Sequence, residues 1–138
     1  MADLLRFTVP CKPQYVGVVR MAVSSAANTA GFDIEDIEDI KVAVSEVCHQ
    51  IFCTGKGVIS YNFSCELGEE GIYISIDDTG NNHDLSVMES CGCLPCRARA
   101  GELFDPMTSF HMLKVLMDEV DVFSDRNEGL LIKMFKHL

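Results

Sequence analysis

Hydrophobic residues recur at helical spacing in two consecutive stretches of the chain. Apolar side chains lie three and four positions apart through residues 13–30 and again through residues 34–53, which is the pattern of a helix with one face on a core. Pro13 suits the first turn of the first helix and Gly31 its end. Asp33 suits the N-cap of the second helix. Together these signals predict two helices joined by a short turn.

The second helix carries an acidic residue beside its apolar stripe. Its predicted core-facing positions are Ile34, Ile37, Lys41 by its stem, Val44, Val47, Cys48 and Ile51. Glu46 sits next to that stripe, and Gln50 projects from the same face one turn later. A carboxylate there loses hydration unless a partner compensates it. Glu46 is therefore either paired structurally or retained for chemistry.

The first helix also has an apolar stripe. The remaining elements are predicted from strand alternation and from turn residues. The predicted stripe of the first helix is Tyr15, Val18, Val19, Ala22, Val23, Ala26 and Ala27. Alternation predicts that Ile59, Tyr61, Phe63, Cys65 and Leu67 share the core side of a strand. In chain order, the other predictions are strands at 4–9, 58–67 and 72–76, an irregular segment at 81–104, a helix at 106–118, and strands at 122–124 and 130–136.

This order of elements defines a fold class. Strands and helices in the sequence strand, helix, helix, strand, strand, loop, helix, strand, strand predict an α+β two-layer sandwich. The sheet is expected to be mixed, mostly antiparallel, and covered on one face by helices. A length of 138 residues suits one domain, residues 1–138, with an ordinary core.

Composition and charge narrow the classes of function. Eleven Lys and Arg against 21 Asp and Glu give a formal net charge of −10, which argues against nucleic-acid binding by phosphate neutralisation and favours a basic protein partner. No apolar run approaches the roughly 20 residues of a membrane span, and the N-terminus has no signal-peptide core. Seven Cys without a secretion signal predict reduced thiols. We therefore expect a cytoplasmic protein that binds neither membrane nor nucleic acid directly.

Several separated motifs together resemble one known family. Val9-Pro10, the run from Glu38 to Cys48, the Asp78-Thr79-Gly80 turn after a strand, and the segment Leu116 to Val120 occur in a matching order and spacing. The chain resembles the bacterial anti-sigma factor serine/threonine kinases, which have the histidine-kinase-like ATPase fold. The resemblance covers nearly the whole chain except residues 81–110.

The resemblance implies roles for four residues in a site for ATP and Mg²⁺. Glu46 corresponds to the general base that takes the proton of a partner's serine hydroxyl. Gln50 stands where the family has an Asn whose amide oxygen coordinates Mg²⁺, and its oxygen lies one methylene further out. Asp78 corresponds to the acceptor for the adenine amino group, and Gly80 to the residue that lets the base approach the backbone. The alternative for Asp78 is a turn in which it bonds its own backbone.

The chain departs from the family where the phosphates would bind. Family members open the late helix with a glycine-rich segment whose amides hold phosphates, whereas this chain has Asp105-Pro106-Met107-Thr108-Ser109. Pro106 contributes no amide, Met107 adds bulk, and Asp105 adds negative charge. Arg99 and Lys114 are the cations that could compensate. We expect ATP and Mg²⁺ binding to be weak or absent.

A cysteine cluster in the segment 81–104 has no counterpart in the resemblance. Cys91, Cys93 and Cys96 lie close together, and with His83 or another Cys they could bind Zn²⁺. A redox-responsive loop and free thiols without a role are the other interpretations. The segment itself is expected to be the most mobile internal part of the chain.

The resemblance implies an anti-sigma regulatory protein that binds a sigma factor or an anti-sigma antagonist in a partner switch. An active Mg-ATP-dependent protein serine kinase is the alternative, and a metal or redox sensor built on residues 91–96 is a third reading. Whether the chain is an enzyme stays open, because the phosphate-binding glycines are absent. A homodimer is a further option.

Overall fold

The computed structural model describes residues 2–54, 58–78, 112–125 and 129–138. Within them the elements are β1 (Asp3–Pro10), a 3-10 turn (Pro13–Tyr15), α1 (Val16–Ala30), α2 (Ile34–Thr54), β2 (Ser60–Leu67), β3 (Gly71–Asp78), β4 (Glu119–Asp125) and β5 (Gly129–His137). Residues 112–116 are also helical and form the described part of the predicted late helix. Each predicted element that lies in the described residues is confirmed within a few positions.

The two long helices begin and end where the sequence signals lie. Pro13 opens the 3-10 turn that leads into α1, and Gly31 ends α1 in the left-handed region with φ of 101°, a conformation that costs glycine little. The Asp33 side chain accepts a 2.8 Å hydrogen bond from the Asp36 N–H and caps α2. Glu35 and Asp36 in the first turn of α2 favour the positive end of its dipole.

The sheet has five strands in the order β1-β2-β3-β5-β4. All four pairings between these described strands are antiparallel, so this part of the chain has no parallel pair and the expected mixture is absent from it. The last strand, β5, lies between β3 and β4. After β3 the chain therefore forms the edge strand β4 first, and it then returns as β5 to the position beside β3.

The hydrophobic core lies between one face of the sheet, called here the inner face, and the helices α1 and α2. Its largest fully buried side chains include Phe63, Ile40, Ile51, Ile72, Ile74, Ile76, Leu113, Leu130, Ile132 and Met134. The buried members of the α1 stripe are Val19, Val23, Ala26 and Ala27. Cys48 and Cys65 are buried as small core residues, as the sequence predicted.

Three residues predicted to face the core are exposed instead. Ile34 is 79% exposed because it is the first residue of α2, ahead of the packed part of the helix. Val18 lies in the first turn of α1 and is 56% exposed. Ile59 is 86% exposed, since it precedes the last ladder pair, Pro10 with Ser60. The errors at Ile34 and Ile59 fall at the end of an element, where local periodicity continues but the packing partner does not. Val18 lies on the side of α1 turned away from the core, since Val19 next to it is fully buried.

A buried lysine ties three elements together on the inner face. The Nζ of Lys136 on β5 donates a 2.6 Å hydrogen bond to the Leu116 carbonyl oxygen at the end of the late helix. The same ammonium lies 3.7 Å from carboxylate oxygens of Asp36 and Asp39 in the first turns of α2. Lys136 is 8% exposed, so its charge is stabilised by these partners instead of by water.

Candidate functional site

Two polar side chains of α2 are buried one turn apart. Glu46 is 4% exposed and Gln50 is fully buried, and each has an interaction partner. The apolar neighbours Val47 and Ile51 hold this face of α2 against the sheet. The sequence placed both residues beside the stripe, and the structure puts them inside the protein.

The third predicted residue lies at the end of a central strand. Asp78 is the last residue of β3 and is 1% exposed, and it also has an interaction partner. Alternation along β3 directs Asp78 to the inner face with Ile74 and Ile76. Because α2 packs over β3 and β5, the structure brings the helix that carries Glu46 and Gln50 over the strand that ends at Asp78.

A row of inner-face residues crosses the sheet at Asp78. Val9 pairs with Tyr61, and Asp78 pairs with Leu130. Asn62 pairs with Asp77, and its amide donates a 3.1 Å hydrogen bond to the Asp77 carboxylate. One step along this ladder, Tyr61 of β2 therefore lies beside Asp78 of β3.

Two thiols lie at the same end of the sheet. The Cys11 N–H donates a 2.8 Å hydrogen bond to the Ile59 carbonyl oxygen just beyond the end of β1. Partial burial raises the pKa of the Cys11 thiol, and the negative charge of Asp78 raises it further. Burial raises the pKa of Cys48 on α2 to about 11. Both thiols are therefore protonated at neutral pH.

The sequence patterns missed Tyr61 and Cys11 as neighbours of Asp78. Alternation predicted Tyr61 on the core side of β2, but it gave no indication of which residue of β3 lies beside it. That information resides in the register of the ladder. A phenol among aliphatic core positions was the available signal, because a buried tyrosine hydroxyl normally requires a polar partner.

Several residues singled out from the sequence lie outside the described residues. These are Gly80, the phosphate-end segment 105–109, Arg99, His83 and the cysteines Cys91, Cys93 and Cys96. The predicted mobility of the segment 81–104 also falls there. Lys114 is described and exposed. Within the described ranges, no group of three His, Cys, Asp or Glu side chains could hold a metal ion.

The geometry supports a narrow set of chemical roles. A buried carboxylate on α2 can accept a proton if an acceptor hydroxyl reaches it, and an amide oxygen is a ligand type that Mg²⁺ uses. A carboxylate at a strand end can accept a hydrogen bond from an exocyclic amine. Asp78 suits the part of a nucleotide site that binds adenine, Gln50 the part that binds the metal, and Glu46 the part that accepts the proton. The segment that would hold the phosphates lies outside the described residues.

This fold and these buried groups define a class of protein. The model for the histidine kinase-like ATPase domain matches residues 9–136. The chain belongs to that family, as the sequence motifs predicted.

Relatives of nearly the same length narrow the family. The serine-protein kinase RsbW of Bacillus velezensis is 31% identical over 99% of this chain and 86% of its own length. The serine-protein kinase RsbW of Oceanobacillus iheyensis is 34% identical over 99% of this chain and 87% of its own. The chain therefore belongs to the family of these RsbW kinases.

A solved structure agrees on the fold. The crystal structure of the RsbU and RsbW domains of a Mycobacterium tuberculosis protein matches with a TM-score of 0.70 at 16% identity. The match covers 97% of this chain and 32% of that longer one. The α+β sandwich with helices on one face is thereby confirmed. Among the described residues, no helix has the length and apolar character needed to cross a membrane.

Proposed function

We propose that this protein is a cytoplasmic anti-sigma regulator that binds a sigma factor and exchanges it for an anti-sigma antagonist. The observation that carries the proposal is the match to serine-protein kinases RsbW along 99% of the chain. Partner binding depends on the protein surface, which a changed phosphate segment leaves intact. The net charge of −10 suits a partner with a basic docking face.

The buried polar groups of α2 and β3 have the roles of a nucleotide site in this proposal. Asp78 accepts a hydrogen bond from the adenine amino group, and the amide oxygen of Gln50 is the protein ligand for Mg²⁺. Glu46 takes the proton from a serine hydroxyl of the antagonist as that oxygen attacks the γ-phosphorus. The bond from the γ-phosphorus to the bridging oxygen breaks, ADP leaves, and the phosphoryl group stays on the serine.

We expect the nucleotide to bind weakly and the phosphoryl transfer to be slow or absent. The segment 105–109 offers fewer amides and one more negative charge than a glycine-rich segment. Charge-assisted hydrogen bonds contribute about 1.5–3 kcal/mol each, so losing several of them outweighs one adenine contact. The amide oxygen of Gln50 also lies one methylene further from the backbone than that of the family's Asn, and Mg²⁺ coordination tolerates little distortion.

An active kinase is the second candidate function. It is favoured by the burial of Glu46 and Asp78, at 4% and 1% exposure, since carboxylates are seldom buried without a structural or chemical role. The two candidates differ in one measurable property, which is phosphate transfer to a partner serine. A zinc site on residues 91–96 is not proposed.

Two assays separate the candidates. In the first, the purified chain is titrated calorimetrically with each sigma factor of its source bacterium, and then with each antagonist candidate. We expect one sigma factor to bind and an antagonist to displace it. If no sigma factor binds, the regulatory proposal is wrong. Light scattering of the same samples tests the homodimer.

The second assay measures the kinase reaction. The chain, Mg²⁺-ATP labelled on the γ-phosphate and the antagonist are incubated together, with Glu46→Gln as the matched variant. We expect little or no label on the antagonist. Rapid labelling that disappears in Glu46→Gln would favour the active kinase. Replacing residues 105–107 with glycines should raise ATP affinity if the phosphate end alone is altered.

A further inference from the structure

Tyr61 carries a polar group that the described part of the fold does not use. The residue is 2% exposed, and its hydroxyl is fully buried with no hydrogen bond to a nitrogen or oxygen atom in the described part of the chain. A buried hydroxyl without such a partner is destabilising, because it has lost its hydrogen bonds to water. Phenylalanine would fill the same space without this cost.

One polar neighbour of the hydroxyl is a thiol. The Tyr61 hydroxyl faces the thiol of Cys48 on α2, and burial together with this neighbour raises the pKa of the phenol above its ordinary value. A protonated thiol is a weak hydrogen-bond donor and a weak acceptor. The phenol is thus uncharged at neutral pH, and it retains the capacity to donate and accept one stronger bond.

The register of the sheet places Tyr61 next to Asp78, the residue predicted to bind adenine. Tyr61 and Asp78 are neighbours on adjacent strands of the inner face, as the Asn62–Asp77 pair one step away requires. Side chains that face each other across neighbouring strands have Cβ atoms about 4.5–5.5 Å apart. The tyrosine ring extends from β2 toward Cys48 on α2, the helix that packs over β3.

We propose that Tyr61 is a second base-recognition residue of this protein, whose hydroxyl hydrogen-bonds the purine held by Asp78, directly or through one water. The proposal rests on the proposed function, in which Asp78 binds adenine. Asp78 can only accept hydrogen bonds when ionised, whereas a hydroxyl can donate one to a ring nitrogen. The pair therefore presents an acceptor and a donor to one edge of the base.

The consequence is a site that depends more on the base than on the phosphates. The segment 105–109 weakens the phosphate end by its composition, whereas Tyr61 adds a contact at the opposite end of the nucleotide. Affinity for adenosine should then be close to affinity for ADP. One neutral hydrogen bond contributes about 0.5–1.5 kcal/mol net, equivalent to about 2- to 12-fold in affinity.

The test compares Tyr61→Phe with the unmodified chain, with Asp78→Asn, and with Tyr73→Phe as the matched control. Tyr73 lies on the neighbouring strand and is 50% exposed on the other face of the sheet. ADP and adenosine are titrated separately up to millimolar concentration by NMR, and melting temperature is measured without nucleotide. We expect Tyr61→Phe to lose about 2- to 12-fold in affinity for both ligands, with an unchanged or higher melting temperature. Tyr73→Phe should leave both quantities unchanged.

The other outcomes are distinct. A lower melting temperature with unchanged affinity means that Tyr61 has only a structural bond to Cys48, and the proposal is overturned. A loss for ADP but not for adenosine overturns the assignment to the base. If the unmodified chain binds neither ligand, or if Asp78→Asn binds like the unmodified chain, the nucleotide site of the proposed function is wrong and this proposal falls with it.

Discussion

Replacing Lys136 with methionine should destabilise the fold by about 2 kcal/mol, a value that follows from its contacts. A hydrogen bond from a charged donor contributes about 1.5–3 kcal/mol, and the ammonium donates one of 2.6 Å to the Leu116 carbonyl oxygen. The carboxylates of Asp36 and Asp39 are 38% and 44% exposed at 3.7 Å, so each ion pair contributes at most about 1 kcal/mol. Relief from burying the charge offsets part of this sum.

Urea denaturation followed by circular dichroism measures this change. For a chain of this length, about 2 kcal/mol corresponds to a melting temperature lower by roughly 7 °C. Lys133→Met is the matched control, since Lys133 is an exposed lysine on the same strand. It should change stability by no more than about 0.5 kcal/mol.

Salt separates the two kinds of contact made by Lys136. Sodium chloride at about 1 M screens partly exposed ion pairs but has little effect on a buried hydrogen bond. Most of the difference between Lys136→Met and the unmodified chain should therefore persist in salt. A difference that vanishes in salt, or one no larger than that of Lys133→Met, would refute the assignment of the stabilisation to the Leu116 bond.

Three further changes test other parts of the fold by denaturation. Gly71→Ala should cost about 1–3 kcal/mol, because a Cβ there would overlap the Lys136 carbonyl oxygen, whereas Gly68→Ala meets no atom within 4 Å and should be tolerated. Asp33→Ala should destabilise the fold by about 1 kcal/mol by removing the cap of α2, whereas Asp33→Asn should keep most of the stabilisation that the cap provides. The pKa of Cys48 is raised from 9.0 to about 11 in the folded state, so its contribution is complete below pH 9 and is lost from pH 9 to 11. The unmodified chain should lose roughly 2 kcal/mol more over that window than Cys48→Ala, and equal losses would contradict the raised pKa.

The elements that the sequence predicted well are those with local signals. The α2 helix has an N-cap, acidic residues in its first turn and a long apolar stripe, and all of these act within a few residues of one another. The error at Ile59 has the opposite cause, because strand alternation continued one pair past the point where β1 ends. Nothing local to Ile59 marks that limit, since it is set by a strand about fifty positions earlier.

The residues of the candidate site also differ in whether a local signal predicts their positions. Glu46 and Gln50 share a helix face, so their common side followed from spacing alone. The relation between Tyr61 and Asp78 depends on the register between two strands, and the position of α2 above them depends on packing that no short window contains. The resemblance supplied roles for Glu46, Gln50 and Asp78, but it offered none for Tyr61.

The strand order has a consequence for how this protein is made. Because β5 separates β3 from β4, a growing chain that has not reached residues 129–138 can form the three adjacent strands β1, β2 and β3 but cannot join β4 to them. The edge of β3 that ends at Asp78 stays open on the ribosome until that segment emerges. The proposed partner capture and nucleotide binding should accordingly begin only once residues 129–138 have emerged, and a nascent chain stalled near residue 125 should be sensitive to protease and unable to bind either ligand.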